Sequence, residues 1–566
     1  MRRLISSSFA VLLAACATSG SGGGVARDSA RAAKLFEQAC AGGDPTGCHN
    51  LGLLYQAGEG VPQDAARATK LFDDACKAGT LRSCTRLGAL LLLGKIVPKD
   101  TRRAATLLRK ACDGGEAEGC VGLALVYRAG EGVPKDLPLA ARLYEKGCEA
   151  GSALGCARLG VLHQTGDGVE KDGIRAAEYF HRACDADATQ GCDLLAQLHQ
   201  EGRFVQKNPS RAAELYERAC RAGVASSCSN LGVMFEHGEG VHKDPARAVQ
   251  LYDHACKSDT AIACSNLGLA YRDGRGVEKD EARAARLFEK ACEGGNAAGC
   301  TNLGVQAEFG QGIARDLPRA VKLYQRGCDG GGARACTNLA VMIALGKGTP
   351  KDPARAAQLY EKGCEGRDGR GCSLLGNVHA EGDGRPKDPA RAAALFEKAC
   401  GVGYAEGCSN LGVLVERGHG VPRDEARSAG LYDQACEAGY ARGCVNLGLL
   451  YAKGSGVTKD EAKAAALFEK ACDAGHARGC GQLGLLYDNG QGVARNAERA
   501  IRYYEKACQA NDNLACNNLG VMYERGSGLA RDVSRAAELY KKACDAGNAK
   551  ACSNLGTLYR KGPGKD

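Results

Sequence analysis

Asp28-Ser29-Ala30-Arg31-Ala32-Ala33-Lys34-Leu35-Phe36-Glu37-Gln38-Ala39-Cys40-Ala41-Gly42-Gly43-Asp44-Pro45-Thr46-Gly47-Cys48-His49-Asn50-Leu51-Gly52-Leu53-Leu54-Tyr55 is the unit from which the rest of the chain is built. Its two cysteines stand eight residues apart, and the first recurs at Cys76, Cys112, Cys148 and onward to Cys544 in steps of 36, with no insertion. Fifteen pairs at one period signal a linear repeat array rather than a series of unrelated cores. The composition agrees: 79 glycines, 31 cysteines, 14 prolines and no tryptophan suit one short pattern repeated, not an ordinary enzyme of 566 residues.

Within the unit, apolar residues lie eight, five, four and one positions before the first cysteine (Ala32, Leu35, Phe36, Ala39), which is helical spacing. Twelve positions before that cysteine stands Asp in thirteen units and Asn in two, Asn208 and Asn496. Their short acceptor side chains suit a helix N-cap, and Pro245, Pro353 and Pro389 directly follow, as expected of a first helical residue. Three positions past the cysteine comes Gly in eleven units and Asp187, Asp259, Arg367 or Asn511 in the others, mostly residues that accept positive φ and end a helix.

The second helix reads Cys-Ser-Asn-Leu-Gly in its fuller copies, as at Cys228-Ser229-Asn230-Leu231-Gly232. Its leucine is present in all fifteen units, and the next residue is Gly in twelve and Ala in three, which lets a neighbouring helix approach closely. The loop Gly58-Glu59-Gly60-Val61-Pro62-Gln63 ends a helix and follows no strand, so it is not read as a phosphate-cradling loop. Tyr55, Tyr271 and Tyr523 are expected in the core between stacked helices. The fold expected is all-α: an α/α superhelical solenoid of fifteen 36-residue, disulfide-bridged helical hairpins.

Residues eight apart in one straight helix are about 12 Å apart along its axis, beyond disulfide reach, so bonding requires the glycine turn to fold the chain back. The expected pairs are Cys40 with Cys48, Cys76 with Cys84, Cys112 with Cys120, Cys148 with Cys156, Cys184 with Cys192, Cys220 with Cys228, Cys256 with Cys264, Cys292 with Cys300, Cys328 with Cys336, Cys364 with Cys372, Cys400 with Cys408, Cys436 with Cys444, Cys472 with Cys480, Cys508 with Cys516, and Cys544 with Cys552. Each bond closes a short loop and contributes about 2 to 3 kcal/mol in the chain-entropy account. A metal site would need clustered thiolates or histidine partners, and the ten histidines share no repeat position, so neither metal nor cofactor is expected.

Met1-Arg2-Arg3 followed by an apolar stretch to Ala15 reads as a signal peptide, residues 1–15. Leu13-Ala14-Ala15-Cys16 resembles a bacterial lipobox, which makes Cys16 the expected lipidation site, and Ala17 by the same resemblance points to the outer membrane. A cleaved signal peptide with an incidental cysteine is the alternative. Residues 16–27 then form a lipidated flexible tether and 28–566 a single solenoid. Disulfides and export agree, since such bonds persist in oxidising compartments. The net charge of +9, of which Arg2 and Arg3 supply two, is too dilute to argue for nucleic acid.

The combination of Asn-Leu-Gly-x-x-Tyr, Gly-x-Gly-Val-x-Lys-Asp and Arg-Ala-x-x-Leu-Tyr-Glu-Lys-Ala-Cys resembles the Sel1-like repeat, a relative of the tetratricopeptide repeat. With a cysteine pair in every unit, the chain is similar to the secreted cysteine-rich bacterial class. That resemblance implies a scaffold binding a protein or extended peptide in its concave groove, with penicillin-binding or weak β-lactamase activity as an alternative, and a secreted effector as another. The residues offer no serine with lysine three positions later, no Ser-Asp-Asn and no Lys-Thr-Gly, so no catalytic residue is assigned. Glu145 and Glu361 beside Lys146 and Lys362 read as solvated surface charge.

By the same resemblance, the groove is lined by the Asn-Leu-Gly helix. Its asparagine occurs at Asn50, Asn230, Asn266, Asn302, Asn338, Asn410, Asn446, Asn518 and Asn554, replaced elsewhere by Arg86, Gly122, Arg158, Leu194, Leu374 and Gln482. An amide both donates and accepts, as a peptide backbone requires, so Asn230, Asn266, Asn302, Asn338, Asn410 and Asn446 are the candidate binding residues. Alternatively, these amides bond the preceding turn or the adjacent repeat and order the stack. The expected location is the cell envelope, with the chain lipid-anchored at the outer membrane and facing the periplasm or the surface.

Overall fold

The computed structural model of the protein describes residues 28–95 and 97–561. The signal peptide, Cys16 and the tether lie outside the described residues, as does the chain terminus at 562–566. Among the described residues there are thirty helices of thirteen residues and no strand. They belong to two compact units divided between Lys279 and Asp280. The first unit holds α1 (Ser29–Ala41) to α14 (Ala261–Asp273), and the second α15 (Glu281–Glu293) to α30 (Ala549–Lys561). No helix among the described residues is long and apolar enough to cross a membrane.

Odd-numbered helices are the first of each pair. Every one starts at the aspartate or asparagine twelve residues before its cysteine, whose side chain accepts from the backbone N–H three residues on. Examples are Arg31 N to Asp28 at 2.9 Å, Arg211 N to Asn208 at 3.0 Å and Arg391 N to Asp388 at 2.9 Å. All fifteen residues three past the cysteine adopt positive φ, from 58° at Asp259 to 102° at Gly79, and Arg367 does so at 67°. That turn returns the chain, and fifteen disulfides close across it with Cα–Cα separations between 4.4 and 4.8 Å, as for Cys112–Cys120 and Cys76–Cys84. The even-numbered helices before the last end on a left-handed glycine, such as Gly58 at φ 76°.

Within each unit, most pairs pack on the next through one recurring fit. The glycine after the invariant leucine faces the aromatic ring of the following first helix: a Cβ on Gly52 would stand 2.8 Å from Phe72, on Gly232 2.6 Å from Tyr252, and on Gly412 2.6 Å from Tyr432. Those rings are fully buried. The tyrosines of the second helices are placed differently from the expectation: Tyr55 is buried, but Tyr271 and Tyr523 are only half-buried at the margin of the core. Beside Tyr523 the ring of Tyr540, from the following first helix, packs on Gly520 one turn earlier and takes the deep position. Tyr55 instead accepts a hydrogen bond from Arg67 Nη1 at 3.1 Å, and Arg499 reaches Tyr487 in the same way at 3.0 Å.

Polar clamps run from repeat to repeat on the first-helix side. Arg103 pairs with Asp73 at 2.8 Å, Arg319 with Glu289 at 2.7 Å, Arg391 with Glu361 at 3.1 Å and Arg427 with Glu397 at 2.8 Å. Glu361 also meets Arg385 at 3.0 Å, so it is a bridging residue rather than a free surface charge. Lysines two before the cysteine cap the preceding first helix, as Lys110 Nζ donates to the Cys76 carbonyl at 2.8 Å and Lys542 to that of Cys508 at 2.7 Å.

One loop departs from the pattern. Phe204, at φ 64°, occupies the left-handed position held by Gly168 and Gly240 in neighbouring loops, where a Cβ would run into the start of a first helix. Gly173 makes room, because a Cβ there would lie 2.0 Å from the Phe204 ring.

Candidate functional site

The second helices of successive repeats touch each other within each unit, as α4 (Leu81–Leu93) touches α6 (Ala117–Ala129) and α20 (Gly369–Glu381) touches α22 (Ala405–Arg417). They form a continuous layer in which a residue at one repeat position neighbours its counterpart in the next. The asparagine two past the second cysteine lies on this layer. Asn230 and Asn266 in the first unit, and Asn302, Asn410 and Asn446 in the second, are half-buried, while Asn338 is buried at 8% exposure.

These amides fall into two sets. Asn338 Oδ1 accepts from Arg370 Nη1 of the next repeat at 3.2 Å, Asn518 Nδ2 donates to the Tyr504 hydroxyl at 3.5 Å, and Asn554 Nδ2 donates to Asn517 at 2.8 Å. Asn230 lies within hydrogen-bonding reach of Tyr216. These four serve the stack. Asn266, Asn302, Asn410 and Asn446 have no side-chain hydrogen bond among the described residues, and being half-exposed they keep both donor and acceptor for another molecule.

Beneath the layer the two units differ. In the first, buried polar pairs link successive second helices: His49 Nδ1 with Ser83 Oγ at 2.8 Å, Ser152 Oγ to Glu118 at 2.7 Å and Ser227 Oγ to Asp193 at 2.6 Å. Burial raises the carboxyls of Glu118 and Asp193 above their ordinary range. Burial, helped by Arg86 and Arg82, brings His49 down to about 4. In the second unit the corresponding first turns carry Tyr404, Tyr440 and His476, half-buried and beside exposed arginines. Burial, with the Glu406 carboxylate that accepts from its hydroxyl at 3.0 Å, pushes Tyr404 up to about 12. These arginines and rings were not among the expected binding residues; the signal that finds them is the residues two and four before the second cysteine, compared across repeats.

Among the described residues no group of three or more His, Cys, Asp and Glu is arranged to hold a metal ion. A surface cleft of about 650 Å³ beside His163, Asp172 and Phe204 mixes charged and apolar side chains.

In sequence, no curated protein matches the chain. Among solved structures, c5321, a protective antigen of uropathogenic Escherichia coli strains with an SLR fold, is 24% identical over 81% of this chain and 94% of its own, with a TM-score of 0.52. A Sel1 repeat protein from Oxalobacter formigenes is 24% identical over 43% of this chain and 96% of its own, with a TM-score of 0.39. Helicobacter pylori cysteine rich protein B is 29% identical over 24% of this chain and 99% of its own, with a TM-score of 0.20. The Sel1 repeat pattern matches fifteen consecutive segments, from 10–44 and 45–80 to 513–548. In that frame Cys40 and Cys48 lie in successive matches, and fourteen of the fifteen disulfides tie one family unit to the next, Cys552 of the last pair lying beyond the final match. Repeats of this kind generally bind proteins, and the chain belongs to the Sel1 repeat family.

Proposed function

We propose that the protein is a non-catalytic scaffold of the cell envelope that holds a protein or an extended peptide along its second-helix layer. The observation that carries this reading is the set of half-exposed amides at Asn266, Asn302, Asn410 and Asn446, repeated at one position with no intramolecular partner among the described residues. An extended segment crossing the second unit's Asn302, Asn410 and Asn446 offers each amide a backbone carbonyl and N–H in turn. Export and a lipid at Cys16 would hold the scaffold at the outer membrane, facing the periplasm or the surface. The short charged and apolar start of the chain and the oxidised cysteine pairs support that placement.

Crosslinking of the intact chain in cells, followed by identification of what it captures, tests the reading. Replacing the four asparagines by alanine is expected to abolish capture while circular dichroism and disulfide mapping stay unchanged. Undiminished capture by that variant, or turnover of a chromogenic β-lactam by the purified oxidised protein that a point mutant removes, would replace this reading with another. Cys16→Ala is expected to move the protein from the membrane fraction to the soluble one.

A further inference from the structure

Two residues before the second cysteine, five consecutive repeats of the second unit carry Arg334, Arg370, Glu406, Arg442 and Arg478. This position lies one helical turn before the asparagine position, on the same face. All four arginines are exposed, and among the described residues none has a carboxylate partner. The first helices of the same unit behave in the opposite way, their arginines being neutralised by Glu289, Glu361 and Glu397. The one acid of the row, Glu406, is occupied by the Tyr404 hydroxyl.

The same turns leave their helix ends open. Gly332, Asp368, Tyr404, Tyr440 and His476 stand at the N-caps of five successive second helices, and none gives its first turn a side-chain acceptor. The N-caps on either side, Asn296 and Asp512, do so at 2.7 and 2.8 Å. Partial positive charge at the five ends therefore adds to that of the arginines. Three of the five caps are rings, at Tyr404, Tyr440 and His476, interleaved with Arg370, Arg442 and Arg478.

We propose that residues 334–478 form a docking face for an extended acidic polypeptide segment whose carboxylates, spaced in steps of three residues, stand opposite the arginines, with a neutral residue opposite Glu406. It rests on the reading of the second-helix layer as a peptide-binding surface and names the peptide. Neighbouring packed helices are about 10 Å apart, and an extended chain advances about 3.3 Å per residue, so one repeat spans three residues of ligand. Each arginine then meets one carboxylate in a two-pronged hydrogen bond, while the rings pack on the ligand between its charges. Glu406 and Asp368 interrupt the row; a nucleic acid, charged at every nucleotide, meets them with repulsion, whereas a peptide places a neutral residue there.

The test uses fluorescence anisotropy with the full oxidised chain and labelled synthetic peptides of equal length. One carries five third-residue positions filled in the order Asp, Asp, Asn, Asp, Asp, one carries the same number of Asp clustered at an end, and one replaces every Asp by Asn; a single-stranded DNA oligomer completes the set. The spaced acidic peptide is expected to bind on the order of tenfold more tightly than the neutral one, and the Arg370→Gln, Arg442→Gln double variant to remove that preference. Equal binding of the two acidic peptides, an unchanged preference in the double variant, or DNA binding as tight as the best peptide would overturn the proposal. The four-asparagine variant separates the two readings. Neutral peptide lost in that variant, with no acid preference in the parent, retains the amide reading and sinks this one. Acidic peptide held through the arginines when the asparagines are gone supports this proposal and sinks the amide reading.

Discussion

The two units share a skeleton and differ in what they leave on the second-helix layer. Residues at the first-helix cap, the turn, the cysteines and the invariant leucine do the same work at Asp244 and at Asp388, at Cys228 and at Cys408, at Leu231 and at Leu411. The first unit spends its variable polar positions inward, on His49 with Ser83, Glu118 with Ser152 and Asp193 with Ser227. The second turns them outward, as unneutralised Arg334, Arg370, Arg442 and Arg478. Because each repeat is held by its own clasp, a surface position can change chemistry without disturbing the stack, and one fold can carry both a plain region and a charged one.

If the skeleton is common, its removal must cost the same on both sides. The double substitutions Cys148→Ser, Cys156→Ser in the first unit and Cys436→Ser, Cys444→Ser in the second are each expected to lower local stability by about 2.5 kcal/mol, the chain-entropy value for a nine-residue loop. Hydrogen exchange read by mass spectrometry over the affected hairpin of the full chain measures this. A cost confined to one unit would break the equivalence.

The glycine fit gives the next effect. Gly232→Ala and Gly412→Ala both drive a methyl to 2.6 Å from a buried ring, Tyr252 and Tyr432, and each is expected to destabilise by about 2 kcal/mol. Gly556 holds the same repeat position with nothing within 4 Å of its Cβ direction. There the same substitution meets no ring, helix propensity alone acts, and the sign reverses to a gain of up to about 1 kcal/mol. Exchange protection of the helix bearing each substitution distinguishes the two signs.

Much of this skeleton was legible in the sequence because it depends on local chemistry. An acceptor twelve residues before a cysteine, a turn residue three past it and a second cysteine after eight leave few ways to fold a short segment, and Asp28, Gly43 and Cys48 act within one hairpin. What escaped depends on neighbours outside the unit. Tyr523 shares the apolar spacing of a core face, yet the Tyr540 ring of the following first helix takes the deep site against Gly520, which a single repeat does not display. Phe204 breaks the glycine rule of its loop because Gly173, thirty-one residues earlier, vacates the space. The arginine row is invisible in any one repeat, where Arg370 or Arg442 is only another surface cation; it exists through register. The asparagines divided for the same reason, since whether an amide is spent depends on the adjoining repeat offering Arg370 to Asn338.

Acid should separate the units by the smallest of these effects. His49 lies beneath the first unit's layer against Ser83 and the Phe72 ring, with Arg82 and Arg86 as its charged neighbours, and burial followed by those arginines holds it down to about 4. Its folded value lies below the unfolded one near 6.5, so the folded state binds fewer protons in between. The stability it contributes is therefore complete above about pH 6.5 and is lost as the pH falls through 6.5 towards 4. Glu118 and Asp193 act in the opposite sense: burial raises their folded values, so acidification relieves them and begins to do so above the ordinary carboxylate range. Around His49 the first effect stands alone, and exchange protection over Pro45–Ala57 and Leu81–Leu93 is expected to weaken by about 1.5 kcal/mol between pH 7.5 and pH 4.5, after allowance for solvent screening. The corresponding helices Ala297–Phe309 and Ala333–Leu345 carry Thr301 and Thr337 at the histidine's repeat position and should not follow. His49→Asn should flatten the first response to match the second; a response that survives the substitution would locate the acid sensitivity elsewhere in the first unit.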